Sequence, residues 1–344
     1  MLALFTASIG NTAPIAPPPE GKLYQGFYYD GMGSDTHDPT EHDFTPADVH
    51  QYQRIAGAKT AWIYFSDNWF ESRAFPDAIC RSIRDLGKIP FLRLMLRSSV
   101  EQSRVEKTFT IKRINDGEFD HDLRAWAQGA KAFGSPILIE WGTEPNGKWF
   151  SWNGKWNGGL HSGPANYIRA HRHIVDIVRS EGADNLQWVW HVNWDDDPEQ
   201  HWNAFENYFP GQEYCDWIAL SIYGPLTPMT RDGCESFHEK MSAAYPRLIK
   251  VAAGKPIIVA EFGCALHNKH CDAAEWACAA LDEIFSGRWP AIIGFCWWNE
   301  GWQNDDNSKH DTDMIIWHDA ALAHVFHEQL AQHSGKIVSP PPPP

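Results

Sequence analysis

Two glutamates in this chain stand where carboxylate chemistry would need them. Glu144 lies in WGTEPNGKWFSWNG, residues 141–154, which holds one acid, four aromatic rings and three glycines. Glu261 directly follows the apolar run PIIVA, residues 256–260. A carboxyl set among rings can hold its proton and act as an acid, while a second, kept ionised, can attack. Two such groups facing each other across a pocket, about 5 Å apart, are the equipment for cleaving a glycosidic bond with retention of configuration. Either glutamate alone reads equally well as half of a rim ion pair. Two at separate strand ends, amid tryptophans, favour the chemical reading.

The rings themselves carry information. The chain has 18 tryptophans in 344 residues, more than a core needs to fill its volume. Tryptophan combines a flat apolar body with one polar handle. In a groove, such faces suit the C–H faces of sugar rings.

Positioning two carboxylates requires a scaffold. Eight short apolar runs begin at Leu23, Thr60, Ile89, Pro136, Leu186, Asp216, Lys255 and Ala291. Each has the length and the β-branched or aromatic content of a buried parallel strand. Longer amphipathic stretches separate most of them. Residues 46–57 open after Thr45 with a proline and close on Gly57, and the stretches ending at Gly87, Gly134 and Gly182 also finish on the residue that best caps a helix. Between the fifth and sixth runs the pattern gives only an imperfect helix around residues 201–208. Eight alternations at this length predict a (β/α)8 barrel as one catalytic domain. The rival, a doubly wound open sheet, wants a glycine-rich phosphate turn after its first strand, and the GMG at residues 31–33 is a weak match.

In such barrels the active site collects at the C-terminal strand ends. Those ends present Tyr29 and Asp30, then Asp67, Asn68 and Trp69, then Arg93 and Arg97. They continue with Glu144, with His191 and Asn193, with Tyr223, with Glu261, and with Trp297, Trp298, Asn299 and Glu300. Period-2 alternation places Glu140, Gly142 and Glu144 on one strand face, with Glu144 uppermost.

Charge and cysteine content narrow the partners. The formal net charge is −15 and no Lys/Arg cluster occurs, which disfavours a nucleic-acid partner. No apolar run reaches the ~20 residues of a membrane span. None of the seven cysteines forms a C-x-x-C pair; Cys264 and Cys271 bracket a short loop and are the candidate pair for a bridge. Residues 1–22 read as a leader or flexible segment, 23–333 as the barrel domain, and 334–344 as a proline-rich linker that could lead to an appended module. Secretion or a periplasmic location is the matching expectation.

Other motifs are weaker. His267 and His270 have a metal-compatible spacing without a clear third ligand and read as a polar loop. Residues 304–313, NDDNSKHDTD, resemble a cation loop but lack the glycine and distal glutamate of an EF-hand. No phosphate loop or G-x-S-x-G elbow occurs. No metal and no cofactor is expected.

The motifs together resemble glycoside hydrolase family 26, a β-mannanase-rich family of the large clan A of barrel glycosidases. The resemblance runs from about Tyr24 to Trp302 and is densest from Asp116 onward. E-P-N-G-K-W at residues 144–149 is similar to the family's E-x-N-G-x-W motif, which implies Glu144 as acid/base. KPIIVAEFG resembles the nucleophile strand and implies Glu261. CDWIALSIYG resembles the sixth strand, whose tyrosine beside the nucleophile would be Tyr223. GFCWWNEGW resembles the eighth strand, implying a platform at Trp297 or Trp298. Two positions depart from the mannanase pattern. Thr143 stands where histidine is usual, and Glu140 where arginine is usual.

The resemblance implies an endo-acting retaining β-glycanase, with β-1,4-mannan as leading substrate and β-1,3-xylan or mixed-linkage β-glucan as alternatives. Trp149, Trp152, Trp297 and Trp298 would stack sugars, while His191, Asn193 and Thr143 would make polar contacts. A barrel that binds glycan without cleaving it is the rival from another class.

Overall fold

The structure is a computed structural model of the 344-residue chain, describing residues 14–30, 42, 44–57, 59–231 and 233–340. Eight strands close into a parallel barrel in sequence order, with β1 hydrogen-bonded to β8. They are β1 (Tyr24–Phe27), β2 (Trp62–Asn68), β3 (Ile89–Met95), β4 (Ile137–Trp141), β5 (Leu186–Asn193), β6 (Trp217–Tyr223), β7 (Ile257–Gly263) and β8 (Ile292–Trp297). Almost every strand residue is buried. That explains why the sequence shows continuous apolar runs instead of alternation: one face fills the barrel and the other lies under helices.

The outer layer comprises α1 (Pro46–Ala56), α2 (Asp77–Asp85), α3 (Ile111–Asn115), α4 (Asp120–Phe133), α5 (Gly159–Ser180), α6 (Phe237–Val251), α7 (Ala273–Phe285) and α8 (Ala320–Gln332). The capping signals act as expected. Thr45 accepts from the Asp48 amide while the Asp48 carboxylate accepts from the Thr45 amide, and Gly57 closes the helix in the left-handed region. Ser236 and Glu239 make the same reciprocal box at the start of α6. Between β5 and β6 the chain makes only single 3-10 turns, at His201–Asn203, Phe205–Tyr208 and Gln212–Tyr214, so the weak helical pattern there reflects a real absence of helix. Helix α5 begins at Gly159, a turn and a half before the proline that marks it in the sequence. The short α3 has no clear sequence signal.

Outward-facing rings fill the space between strands and helices. Trp141 stacks on Tyr167 of α5, and Trp297 packs on Trp276 of α7 and Phe326 of α8. Much of the tryptophan surplus is therefore core: seven tryptophans rank among the largest fully buried side chains.

The barrel's lower end gathers chain from outside the expected 23–333 span. The Ile15 amide donates to the Gln187 side chain, and Leu23 pairs with Ile337 in a parallel bridge. Most of the leader and the last four residues of the proline tract lie outside the described residues, as does the GMG turn.

The expected Cys264–Cys271 bridge is not formed. Cys271 pairs with Cys234 (S–S 2.02 Å), and Cys264 is a buried free thiol. Cys264, buried directly after β7, lies by Gly224 and Trp276, whereas Cys234 comes across from the loop after β6. The bond thus ties together the two loops that follow β6 and β7. The His267–His270 loop is organised by the Asn268 amide, which donates to the carbonyls of Thr227 and Thr230. In the 304–313 loop, Asp305 pairs with His310, and the Asn304 amide donates to the His310 carbonyl and Thr312.

Candidate active site

Glu144 is placed by backbone, not by strand alternation. β4 stops at Trp141; Gly142 then takes φ +68° and Glu144 φ +45°. The expected period-2 line from Glu140 through Gly142 to Glu144 therefore breaks after Glu140. A left-handed φ is costly for a side chain larger than glycine, and such residues persist where surroundings over-determine them. Here they do. The Glu144 amide donates to the His191 carbonyl (2.9 Å), and the Glu144 carbonyl accepts from the Gly147 amide (2.9 Å). The carbonyls on either side are also held. Trp152 Nε1 donates to the Thr143 carbonyl (2.6 Å), and Asn153 Nδ2 to the Pro145 carbonyl (2.6 Å).

Asn146 fastens this loop to the one after β5. Its amide donates to the carbonyls of Asn193 and Asp195 and to Asp196, and its oxygen accepts from the Asn193 amide. Gly147 makes room for Trp149: a Cβ there would lie 2.2 Å from the indole ring. The ring lies over that gap and donates Nε1–H to Glu144 Oε2 at 2.7 Å.

Glu261 is placed by an irregularity in the sheet. The β6–β7 register runs Leu220 to Val259, then Ser221 to Glu261, so Ala260 is an extra residue on β7. Bulges of this kind re-aim side chains near active sites. Glu261 Oε2 accepts from Tyr223 OH at 2.7 Å. Its other oxygen lies 3.3 Å from Tyr64 OH of β2 and 4.0 Å from Arg93 of β3. Burial pushes the Glu261 carboxyl up to about 7, with Arg93 and His191 opposing and Glu144 adding to the rise.

Below the two glutamates lies a buried polar floor. Tyr64 OH donates to Glu140 Oε1 at 2.6 Å, and Arg93 Nε lies 3.5 Å from the same oxygen. His191 meets Glu140 Oε2 through Nδ1 (2.9 Å) and Ser221 Oγ through Nε2 (2.8 Å); Thr143 Oγ1 lies 3.0 Å from Nδ1. Arg93, Glu140 and His191 are each at most 3 % exposed, so only their mutual pairing makes these charges tolerable. Burial opposes the charge on His191, but Glu140 more than offsets it and holds the imidazolium above the usual histidine range. Burial likewise opposes the charge on Glu140, and His191 and Arg93 overcome it.

The strand-end residues do not all face the site. His191 belongs to the floor beneath Thr143. Asn193 Nδ2 donates to the Asp195 carbonyl and shapes its own loop. Trp152, 3 % exposed, stacks on Phe150 under the loop. Trp297, 1 % exposed, points out to the helices and donates to the Met314 carbonyl. Neither ring has a face to offer a sugar, because its position in loop or strand turns it into the packing. Trp298, the next residue, turns inward, stacks on Tyr28 at 3.6 Å and lies 5.2 Å from the Arg93 guanidinium. Trp149 and Tyr223 remain half-buried at the mouth. Asp67 turns outward to accept from Trp126 of α4. Tyr64 and Ser221 escape notice in the sequence because each sits inside an apolar run. A cavity of about 980 Å³ lies against α3 and the outer face of α5, bounded by Trp156, Arg172 and Tyr214, with none of the strand-end side chains in its wall.

Residues 107–255 match the family model described as Glycosyl hydrolase family 26. Over that segment the chain is similar to the family. The match spans the β4 loop, β5 and β6, where the Glu144 turn, His191 and Tyr223 are found. Endoglucanase H of Acetivibrio thermocellus is 31 % identical over 193 residues, covering 56 % of this chain and 21 % of that protein. Mannan endo-1,4-beta-mannosidase A and B of Caldalkalibacillus mannanilyticus is 26 % identical over 166 residues, covering 48 % and 28 %. The matched part of the chain thus spans 21 % and 28 % of the length of these curated relatives. Among solved structures, a family 26 beta-mannanase from Bacteroides ovatus superposes with TM-score 0.61 at 15 % identity, covering 93 % of this chain and 90 % of that one. A Bacillus subtilis mannanase gives 0.58 at 17 %, covering 91 % and 86 %. At such identities the superpositions speak for the barrel and its strand order.

Proposed function

We propose that the chain is a glycoside hydrolase, an endo-acting retaining β-glycanase with Glu261 as nucleophile and Glu144 as acid/base. The observation that carries this is the contrast in how the two carboxylates are held. Glu261 accepts from Tyr223, with Tyr64 and Arg93 close by, donors and a cation that offset part of what burial costs its charge; Glu144 accepts from the Trp149 indole on the loop after β4. In the first step a Glu261 oxygen attacks the anomeric carbon as the C–O bond to the leaving group breaks and Glu144 passes its proton to the departing oxygen. In the second, Glu144 takes a proton from water, which attacks the same carbon and releases Glu261.

β-1,4-Mannan is the leading substrate, supported by the mannosidase relative and by the mannanase structures that share the fold. A second reading, a β-glucan, is favoured by the endoglucanase relative and by Thr143 and Glu140, which stand where mannanases of the family usually carry histidine and arginine. The Cys234–Cys271 bridge supports an oxidising location, secreted or periplasmic.

The test combines a substrate screen with two variants. Reducing ends should appear from mannan or galactomannan and not from β-1,3-xylan; release from lichenan alone moves the assignment to the second reading. Azide should rescue Glu144→Ala on an activated aryl glycoside with retained configuration, and Glu261→Ala with inverted configuration. If both variants keep near wild-type hydrolysis of every β-glycan tried, neither glutamate is a reacting carboxylate.

A further inference from the structure

Glu140 is a buried acid that the two-carboxylate chemistry does not use. It lies on β4 directly below the Glu144 turn, and it takes the closest hydrogen bond Tyr64 makes within the cluster (2.6 Å, against 3.3 Å to Glu261). Its other oxygen holds His191 at 2.9 Å. Tyr64 has one proton to donate and two carboxylates within reach.

The charges of the inner ring make the arrangement intelligible. Facing Glu261 are Tyr64 from β2, Arg93 from β3, Glu144 from the loop after β4, His191 from β5, Tyr223 from β6 and Cys296 from β8, while Glu140 of β4 shares Tyr64 and Arg93 with it. Glu300 reaches the same group from beyond β8, accepting from Tyr28 and acting on Tyr223. Arg93 and a charged His191 carry two positive charges, while Glu140, Glu144 and Glu261 supply three potential negative ones. Glu300, bonded to Tyr28 beyond β8, lies outside this sum; the five groups total zero when Glu144 and Glu261 hold one proton between them. That is the charge state a retaining double displacement starts from.

We infer that Glu140 and His191 form a positioning pair: His191 supplies the second positive charge that balances the site with a single shared proton, and Glu140 withholds the Tyr64 hydrogen from Glu261. The inference rests on the reading of Glu144 and Glu261 as the reacting carboxylates. Because Glu140 draws off the Tyr64 hydrogen, Glu261 in the resting site depends on Tyr223 and Arg93. A neighbouring charge of either sign moves a carboxyl by one unit or more, so the pair leaves a readable trace in the pH profile.

The experiment measures kcat/KM against pH for three variants on the best substrate from the screen. Glu140→Gln removes the negative charge that keeps His191 protonated, so the two charge changes largely cancel, and the freed Tyr64 hydrogen, turning to Glu261, should lower the acidic limb by a fraction of a pH unit. His191→Gln removes the balancing positive charge, and the limb should rise by about one pH unit. Tyr64→Phe should raise it by less. A uniform loss of kcat with the limb unmoved, or all three variants shifting it the same way, overturns the inference. Should Glu140→Gln not fold, a direct reading takes its place. Nitrogen-15 NMR of the wild-type chain at pH 7.5 should show His191 protonated on both ring nitrogens, and a singly protonated ring overturns the inference without reference to activity. A failed catalytic reading shows itself separately, as undiminished turnover by Glu144→Ala and Glu261→Ala.

Discussion

The ends of β4 and β7 each deliver one glutamate to the barrel mouth by opposite means. On β7 the strand continues to Gly263, and one extra residue, Ala260, turns Glu261 into a ring of charged and hydroxyl groups. On β4 the strand stops early, and a left-handed turn pinned by Trp152, Asn153 and Asn146 places Glu144 in the loop after it. Strand geometry gives fixed, deeply set donors around Glu261. Loop geometry leaves Glu144, itself only 6 % exposed, with one half-buried indole as donor from its own loop. A group that must attack as an anion needs the donors of the first setting to offset its burial, and one that must exchange protons with leaving group and water benefits from the second.

Replacing each glutamate breaks the comparison most directly. Glu261→Ala should lose about 10⁴-fold or more in kcat on every substrate, since no bond to the anomeric carbon can form. Glu144→Ala should lose about 10²- to 10⁴-fold on polysaccharide and far less on an aryl glycoside whose leaving group needs no proton. Steady-state kinetics on both substrate types checks this, and equal losses for the two variants on both types would erase the distinction between the two ends.

The deeper setting of Glu261 should also show in stability. Burial holds its carboxyl at about 7, above the ordinary glutamate range. Relative to a neutral side chain, the fold is therefore unpenalised below the unfolded value and loses stability as pH rises from there through 7. Glu261→Gln cannot ionise. Its unfolding free energy should exceed that of wild type by a margin that grows by about 2 to 3 kcal/mol from pH 5 to pH 8. Urea titrations at the two pH values measure the margin; a margin that shrinks with pH contradicts the burial argument.

How far the sequence anticipates this site follows from the same contrast. The eight strands and their order are legible because buried parallel strands are continuous apolar runs, and the two glutamates are read from the residues that close the fourth and seventh of those runs. Facing is less legible. Trp297 and Trp298 look interchangeable in GFCWWNE, and only the pleat sends one to the helices and the other onto Tyr28. Trp152 reads as a cleft wall but is a clamp on the Thr143 carbonyl. Tyr64 and Ser221 are hidden because an inward polar residue in a barrel strand interrupts nothing when both strand faces are buried. The disulfide partner of Cys271 depends on which loops neighbour each other above the barrel, which spacing along the chain does not encode.

The smallest predicted effect concerns the one donor Glu144 has from its own loop. Trp149 reaches Glu144 only because Gly147 has no Cβ, so the two residues should act as a unit. Trp149→Phe keeps an aromatic ring and removes the N–H, a hydrogen bond to a charged group worth about 1.5 kcal/mol or somewhat more. The expected loss in kcat/KM is therefore about tenfold. Gly147→Ala places a methyl 2.2 Å from the ring and must displace it, so it should reproduce that loss although the indole is intact. The double variant should be little worse than either alone, because both remove the same contact. Multiplying losses would mean that Gly147 serves the turn and Trp149 serves the substrate, each independently of Glu144. Non-additive kinetics with unchanged thermal midpoints would place both residues in one device, a glycine-made gap that lets an indole hold the loop carboxylate while the strand carboxylate is held by the barrel itself.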